Sequence, residues 1–166
     1  MMKLRNLYIQ LQVWRGQALD IWSKSPYPAN VLSNLCCNEF CFEEVPCGSM
    51  EGFLQSLKYQ DVDKQRQVCS MNGKNAKNMT SSHWQIEQTI WWKGSAINRQ
   101  SKEFQELIRR AYKAMFEQNE HFRKALMSTR GMKLYHSQGE QNSYKTILTE
   151  SEFCSVLTEL RESCDK

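Results

Sequence analysis

Long apolar runs are missing from this sequence. No stretch approaches the roughly 20 apolar residues that a helix needs to cross a bilayer. The N-terminus also lacks the unbroken apolar region of a signal peptide, so a soluble protein of a reducing cytoplasm is expected. Cysteines at metal spacing are missing too. Seven cysteines stand at 36, 37, 41, 47, 69, 154 and 164, and none forms a CxxC pair, which argues against a structural metal or a dithiol redox centre. Most are expected to act as small buried apolar groups. The GxxxxGK[ST] phosphate loop is absent, as are a Gly-x-Ser-x-Gly elbow and a Cys–His nucleophile pattern. These absences remove P-loop chemistry and serine or cysteine nucleophiles from consideration. There is no internal repeat and no low-complexity tract.

What is present is ordinary globular material. The chain has 166 residues, 40% hydrophobic and 11% aromatic, with a mean hydropathy of −0.66. That is enough apolar substance for one core, while two halves would each have a thin one. A single domain over 1–166 is expected. The net charge of +4 suits phosphate-bearing ligands but falls short of a nucleic-acid-binding composition.

Periodicity divides the chain into elements. Leu7, Ile9, Leu11 and Val13 are apolar at every second position, the period of a half-buried strand, so residues 1–16 read as an N-terminal strand extension. Ser23 to Asn30 carries two prolines and reads as a loop. Glu39 to Val45 reads as a short strand ended by Pro46 and Gly48. Met50, Phe53, Leu54 and Leu57 form the stripe of an amphipathic helix capped by Ser49. Helix resumes over about 62–71 and is ended by Asn72–Gly73, after which 73–82 is turn-prone and basic. Residues 84–92 fit both periods, with helix preferred. A long helix capped by Ser101 carries Phe104, Leu107, Ile108, Ala111, Tyr112, Met115 and Phe116. Asn119 caps a further helix closed by Gly131, and Thr149 with Glu152 forms a capping box before a last one. Met132–His136 and Tyr144–Leu148 read as short extended segments. The fold class expected is α+β, a mainly helical single domain with a few short strands.

Some of these residues can carry chemistry. Glu51, Gln55 and Lys58 share one face of the capped helix, where a carboxylate, an amide and an amine can bind a sugar hydroxyl, orient water and neutralise phosphate. The same spacing also describes a solvated face with an i, i+4 hydrogen bond. Lys74 and Lys77 in the basic stretch are candidates for phosphate. Trp92, and less so Trp84 and Trp91, is a candidate to stack a base, although most tryptophans are core. His136, between an extended segment and the turn at Gly139, is placed for acid, base or hydrogen-bonding work, or is simply packed.

The elements Leu32-Ser33-Asn34-Leu35 and Ser49-Met50-Glu51-Gly52-Phe53-Leu54-Gln55-Ser56-Leu57-Lys58-Tyr59 resemble motifs of the NADAR (YbiA-like) superfamily. The resemblance continues at Gly73-Lys74, at Ala111 to Asn119, and at Leu126-Met127-Ser128-Thr129 with Lys133-Leu134, and spans about residues 20–162. Trp91 to Arg99, His136 to Gly139 and Thr146 to Thr149 are similar to a bacteriophage-associated branch. The resemblance implies a YbiA-like fold and an N-glycosidase that hydrolyses the N-glycosidic bond of a ribosyl nucleotide, either an ADP-ribosylated base or a riboflavin-pathway-type intermediate. It implies no metal and no cofactor, and partners that extend to ADP-ribosylated nucleic acid but not to a membrane. Carried over by position, Glu51 is the catalytic carboxylate, with His136 as auxiliary acid, base or orienting group. Ser33, Asn34, Gln55, Lys58, Lys74, Trp92 and Arg99 bind substrate. The chain departs from the family at Gly52 in place of His, Lys74 in place of Arg, and His136 in place of an acidic residue, and it lacks the following Trp-Gly element. The alternative is therefore a catalytically weakened module that binds ADP-ribose or a related nucleotide, with an anti-defence role.

Overall fold

A computed structural model describes residues 2–79 and 81–163. Among them are nine α-helices and six short strands. The strands are β1 (Ala18–Asp20), β2 (Phe40–Phe42), β3 (Val45–Cys47), β4 (Thr89–Trp92), β5 (Ser95–Asn98) and β6 (Lys133–Tyr135). They form three two-stranded ribbons, β1–β6 parallel and β2–β3 and β4–β5 antiparallel. This is the mixed, mainly helical architecture that the patterning predicts.

Helices make the body. The longest, α7 (Lys102–Gln118), buries Phe104, Leu107, Ile108, Ala111, Tyr112, Met115 and Phe116, the predicted stripe, and Ser101 accepts from the Phe104 amide at 3.1 Å. Around it lie α8 (Glu120–Met127), capped by Asn119, and α9 (Glu150–Ser163). The Thr149–Glu152 capping box forms as expected, with Glu152 N donating to Thr149 Oγ1 at 3.2 Å and Thr149 N donating to Glu152 Oε2 at 2.8 Å. Buried Arg161 ties α9 to the chain before β6, donating to Thr129 O at 2.7 Å and Met132 O at 3.0 Å.

Two hairpins turn through residues with left-handed backbone. Glu43 (φ 48°) and Glu44 (φ 69°) join β2 to β3, and Lys93 (φ 51°) and Gly94 (φ 82°) join β4 to β5. Two-residue loops of this kind match the twist of antiparallel strands. Glu43 is held by its side chain, which accepts from Trp92 Nε1 at 2.7 Å and pairs with Arg110. Pro46 lies inside β3 instead of ending a strand. It stands opposite Cys41, the pair that makes no ladder bonds when Phe42 and Val45 flank the turn, so its missing N–H costs nothing.

Other expectations are corrected. The N-terminal segment is a helix, α1 (Met2–Trp14), not a strand. Of the alternating apolar residues only Ile9 is buried, no strand among the described residues pairs with this segment, and leucine and glutamine favour helix, so the period of two was accidental. Asn72 begins a helix instead of ending one: its side chain accepts from the Asn75 amide and caps α5 (Gly73–Lys77) after α4 (Val62–Cys69). A Cβ on Gly73 would lie 2.4 Å from Leu35 Cα, so glycine is there for close approach. Thr80 of the basic stretch lies outside the described residues, as does Cys164. Residues 84–92 are split between α6 (His83–Glu87) and β4 by Gln88 (φ 52°), which is why both periods fit. Tyr144–Leu148 forms turns, not a strand. Of the described cysteines only Cys47 and Cys69 are buried. No helix among the described residues is long and apolar enough to cross a membrane.

Candidate functional site

One cavity of about 430 Å³ collects most of the chemistry predicted from the sequence. Its floor is α3 (Met50–Ser56), which starts where Ser49 accepts from the Gly52 amide at 2.9 Å and donates to Met71 O at 3.0 Å. The helix buries Met50, Phe53 and Leu54 and turns Glu51 and Gln55 to the cavity, with Lys58 just past its end. A second wall is Ser33-Asn34-Leu35, which follows α2 (Ala29–Leu32). The two are stitched together by Glu51 N donating to Asn34 O at 2.9 Å.

Glu51 accepts a hydrogen bond from Gln55 Nε2 at 2.8 Å, and no ion pair holds it among the described residues. The predicted i, i+4 bond and the cavity-facing position therefore hold together. Gln55 Oε1 is buried without a partner. Burial lowers the Lys58 pKa from its ordinary value, and the Glu51 charge works in the opposite direction.

The opposite wall is the segment around His136 and the chain leading into α9. The imidazole is fixed. Its Nδ1 lies 2.8 Å from Ile21 O, and a carbonyl only accepts, so Nδ1 carries hydrogen and Nε2 is the free ring nitrogen. The ring packs edge-on against Phe153. Its backbone N–H donates to Glu150, which is itself buried and ion-paired to Arg5 of α1 at 2.6 Å. Asp20, at the end of β1, accepts from Ser137 N at 2.8 Å and Ser137 Oγ at 2.6 Å. Gly139 lets the loop close on the ring, since a Cβ there would fall 2.7 Å from His136 Cδ2.

Of the nine candidates, Ser33, Asn34, Glu51, Gln55, Lys58 and His136 line the cavity, and Lys74, Trp92 and Arg99 do not. Lys74 is exposed, while Lys77, one turn further along α5, is on the wall. Trp92 is 5% exposed, packed between Phe42 and Phe53 with its indole N–H on Glu43, and Trp84 lines the cavity instead. Arg99 is fully buried, forms a forked pair with Glu152 at 2.6 and 3.0 Å, and donates to Thr146 O at 3.2 Å. It does not line the cavity, and its bonds hold the Thr146–Thr149 wall from behind. Sequence reasoning missed Trp22 and Lys145, both on the wall. Trp22 had one signal, a large aromatic immediately before the proline-bearing polar segment; Lys145 had none. Among the described residues no three His, Cys, Asp or Glu side chains gather to hold a metal ion.

Comparison with known proteins places this arrangement. Residues 26–162 match a family described as "Bacteriophage protein GP30.3". The chain belongs to the GP30.3 family. A relative in Enterobacteria phage T4, described as an uncharacterized 17.1 kDa protein in the Gp30–rIII intergenic region, is 35% identical over 148 residues. That match covers 87% of this chain and 97% of the relative. The NMR structure of the E. coli protein YbiA matches with a TM-score of 0.62 and 16% identity, over 90% of this chain and 86% of that one. At that identity the likeness is one of fold. Within this GP30.3-family protein every sequence-predicted site residue lies inside the matched region, while α1, β1 and Trp22 precede it.

Proposed function

We propose that this protein is a NADAR-type N-glycosidase that takes a ribosyl nucleotide into the 430 Å³ cavity and hydrolyses its N-glycosidic bond. The observation that carries this reading is the Glu51 carboxylate, held in no ion pair among the described residues, on the lining of the cavity that also holds His136. The YbiA-like fold supports it. Cleavage transfers the bonding pair to the leaving nitrogen and builds oxocarbenium character on the anomeric carbon. A nearby carboxylate stabilises that charge and takes a proton from the attacking water. The water oxygen ends on the sugar and a proton ends on the released base. With Nδ1 held by Ile21, His136 works through Nε2, accepting a proton or, once protonated, passing one to the leaving nitrogen. Asn34 and Gln55 suit sugar hydroxyls, and Lys58, Lys77 and Lys145 suit phosphate.

Incubation with ADP-ribosylated guanosine nucleotides and with riboflavin-pathway intermediates tests the reading. Wild-type protein releases base or ribose phosphate, and Glu51→Gln lowers the rate by roughly three orders of magnitude with an unchanged melting curve. A second reading follows from His136, which stands where the NADAR superfamily that the sequence resembles has an acidic residue: a module that binds ADP-ribose without cleaving it. Calorimetry showing stable binding, no turnover, and only a modest effect of Glu51→Gln selects that reading instead.

A further inference from the structure

Tyr112 is a fully buried polar side chain that bonds to a residue lining the cavity. It is 0% exposed on the inner face of α7, and its hydroxyl donates to Asn34 Oδ1 at 2.7 Å. The side-chain amide of asparagine has an acceptor end and a donor end, and which end faces a ligand is a matter of a half-turn about one bond. Here the acceptor end is occupied from below. Asn34 Nδ2 has no hydrogen bond among the described residues and is not among the buried unpaired atoms, and Asn34 lines the cavity. Burial also pushes the phenol pKa well above its ordinary value, an effect the Asn34 bond opposes and the Glu51 charge reinforces. The phenol therefore keeps its proton through the neutral range, and turning the amide would leave that buried O–H without an acceptor among the described residues.

We propose that Tyr112 is a positioning residue of this site, fixing the Asn34 amide so that it presents N–H to the cavity and selects a ligand with an oxygen acceptor beside Glu51. The backbone of Asn34 accepts from Glu51 N at 2.9 Å, so the oriented donor and the carboxylate belong to one rigid joint between α2 and α3. The ligand chemistry that fits is a sugar ring, hydroxyl or phosphate oxygen. This rests on the cavity being a ribosyl-nucleotide site, and the experiment separates the two.

Tyr112→Phe removes one oxygen and keeps the ring that packs at 6.1 Å from Phe153. Free ADP-ribose is titrated by calorimetry into wild type, Tyr112→Phe, Asn34→Ala and the double variant, with melting temperatures recorded alongside. Tyr112→Phe is expected to weaken binding roughly tenfold, and to have no further effect once Asn34 is alanine. An undiminished loss in the Asn34→Ala background, or unchanged affinity in Tyr112→Phe, overturns the proposal. If wild type does not bind ADP-ribose, the ligand reading fails and NMR decides the positioning. A slowly exchanging Tyr112 hydroxyl proton, together with Asn34 side-chain amide resonances that shift in Tyr112→Phe, supports it. Resonances that stay unmoved overturn it.

Discussion

Arg99 and Glu152 form a largely buried ion pair behind the cavity wall. The guanidinium is 1% exposed and the carboxylate 20%, and Gln105 adds a third donor to Glu152 at 2.6 Å. Burial pushes the Glu152 pKa up, but bonds from Arg99, the Thr149 amide and Gln105 outweigh it and leave the group below its ordinary value. A carboxyl lowered on folding contributes stability above its ordinary pKa and loses it as pH falls through the folded value. Urea unfolding of wild type should therefore show stability falling in acid, with a shallower fall in Glu152→Gln. Arg99→Ala, which leaves the carboxylate without its partner, should cost about 3 kcal/mol at neutral pH. An equal acid dependence in wild type and Glu152→Gln would mean the pair is not what holds Thr146 in place.

Among the elements, α5 shows how closely the walls are fitted. Gly73 sits against the backbone of Leu35, with a hypothetical Cβ 2.4 Å from both Leu35 Cα and Leu35 O. Backbone cannot yield as a flexible side chain does, so Gly73→Ala should cost up to about 3 kcal/mol in urea unfolding. Leu35 follows Asn34, so the same variant should also weaken ligand binding. Unchanged affinity at reduced stability would place Asn34 outside the binding surface. By contrast α1 is lightly held. It contributes buried Ile9 and the Arg5–Glu150 pair, while Leu4, Leu7, Leu11 and Trp14 face outward.

At the scale of the whole molecule, three lysines from separate segments, Lys58, Lys77 and Lys145, line the cavity together with the carboxylates Glu51 and Glu140. Salt shortens the range of such charges, from about 10 Å near 0.1 M to about 3 Å near 1 M. Affinity for ADP-ribose should fall as sodium chloride rises across that range, and the fall should be shallower in a Lys77→Ala, Lys145→Ala double variant. Identical salt dependence in the two proteins would show that these lysines do not face the phosphates.

The sequence alone determined the helices whose signals are local. Caps and stripes within a few turns specify α3, α7, α8 and α9, and the same 3.6-residue period puts Glu51 and Gln55 on one side of α3. Tertiary structure decided everything that depends on what a segment packs against. An alternating N-terminal pattern became α1 for want of a partner strand, Trp92 went into the core while Trp84 reached the cavity, and Arg99 turned inward to Glu152. The same holds for His136, which meets the cavity of Glu51 only because β6 pairs with β1 and brings the imidazole onto Ile21. A helix repeats within a handful of residues and can be read there, whereas a cavity is enclosed by segments a hundred residues apart.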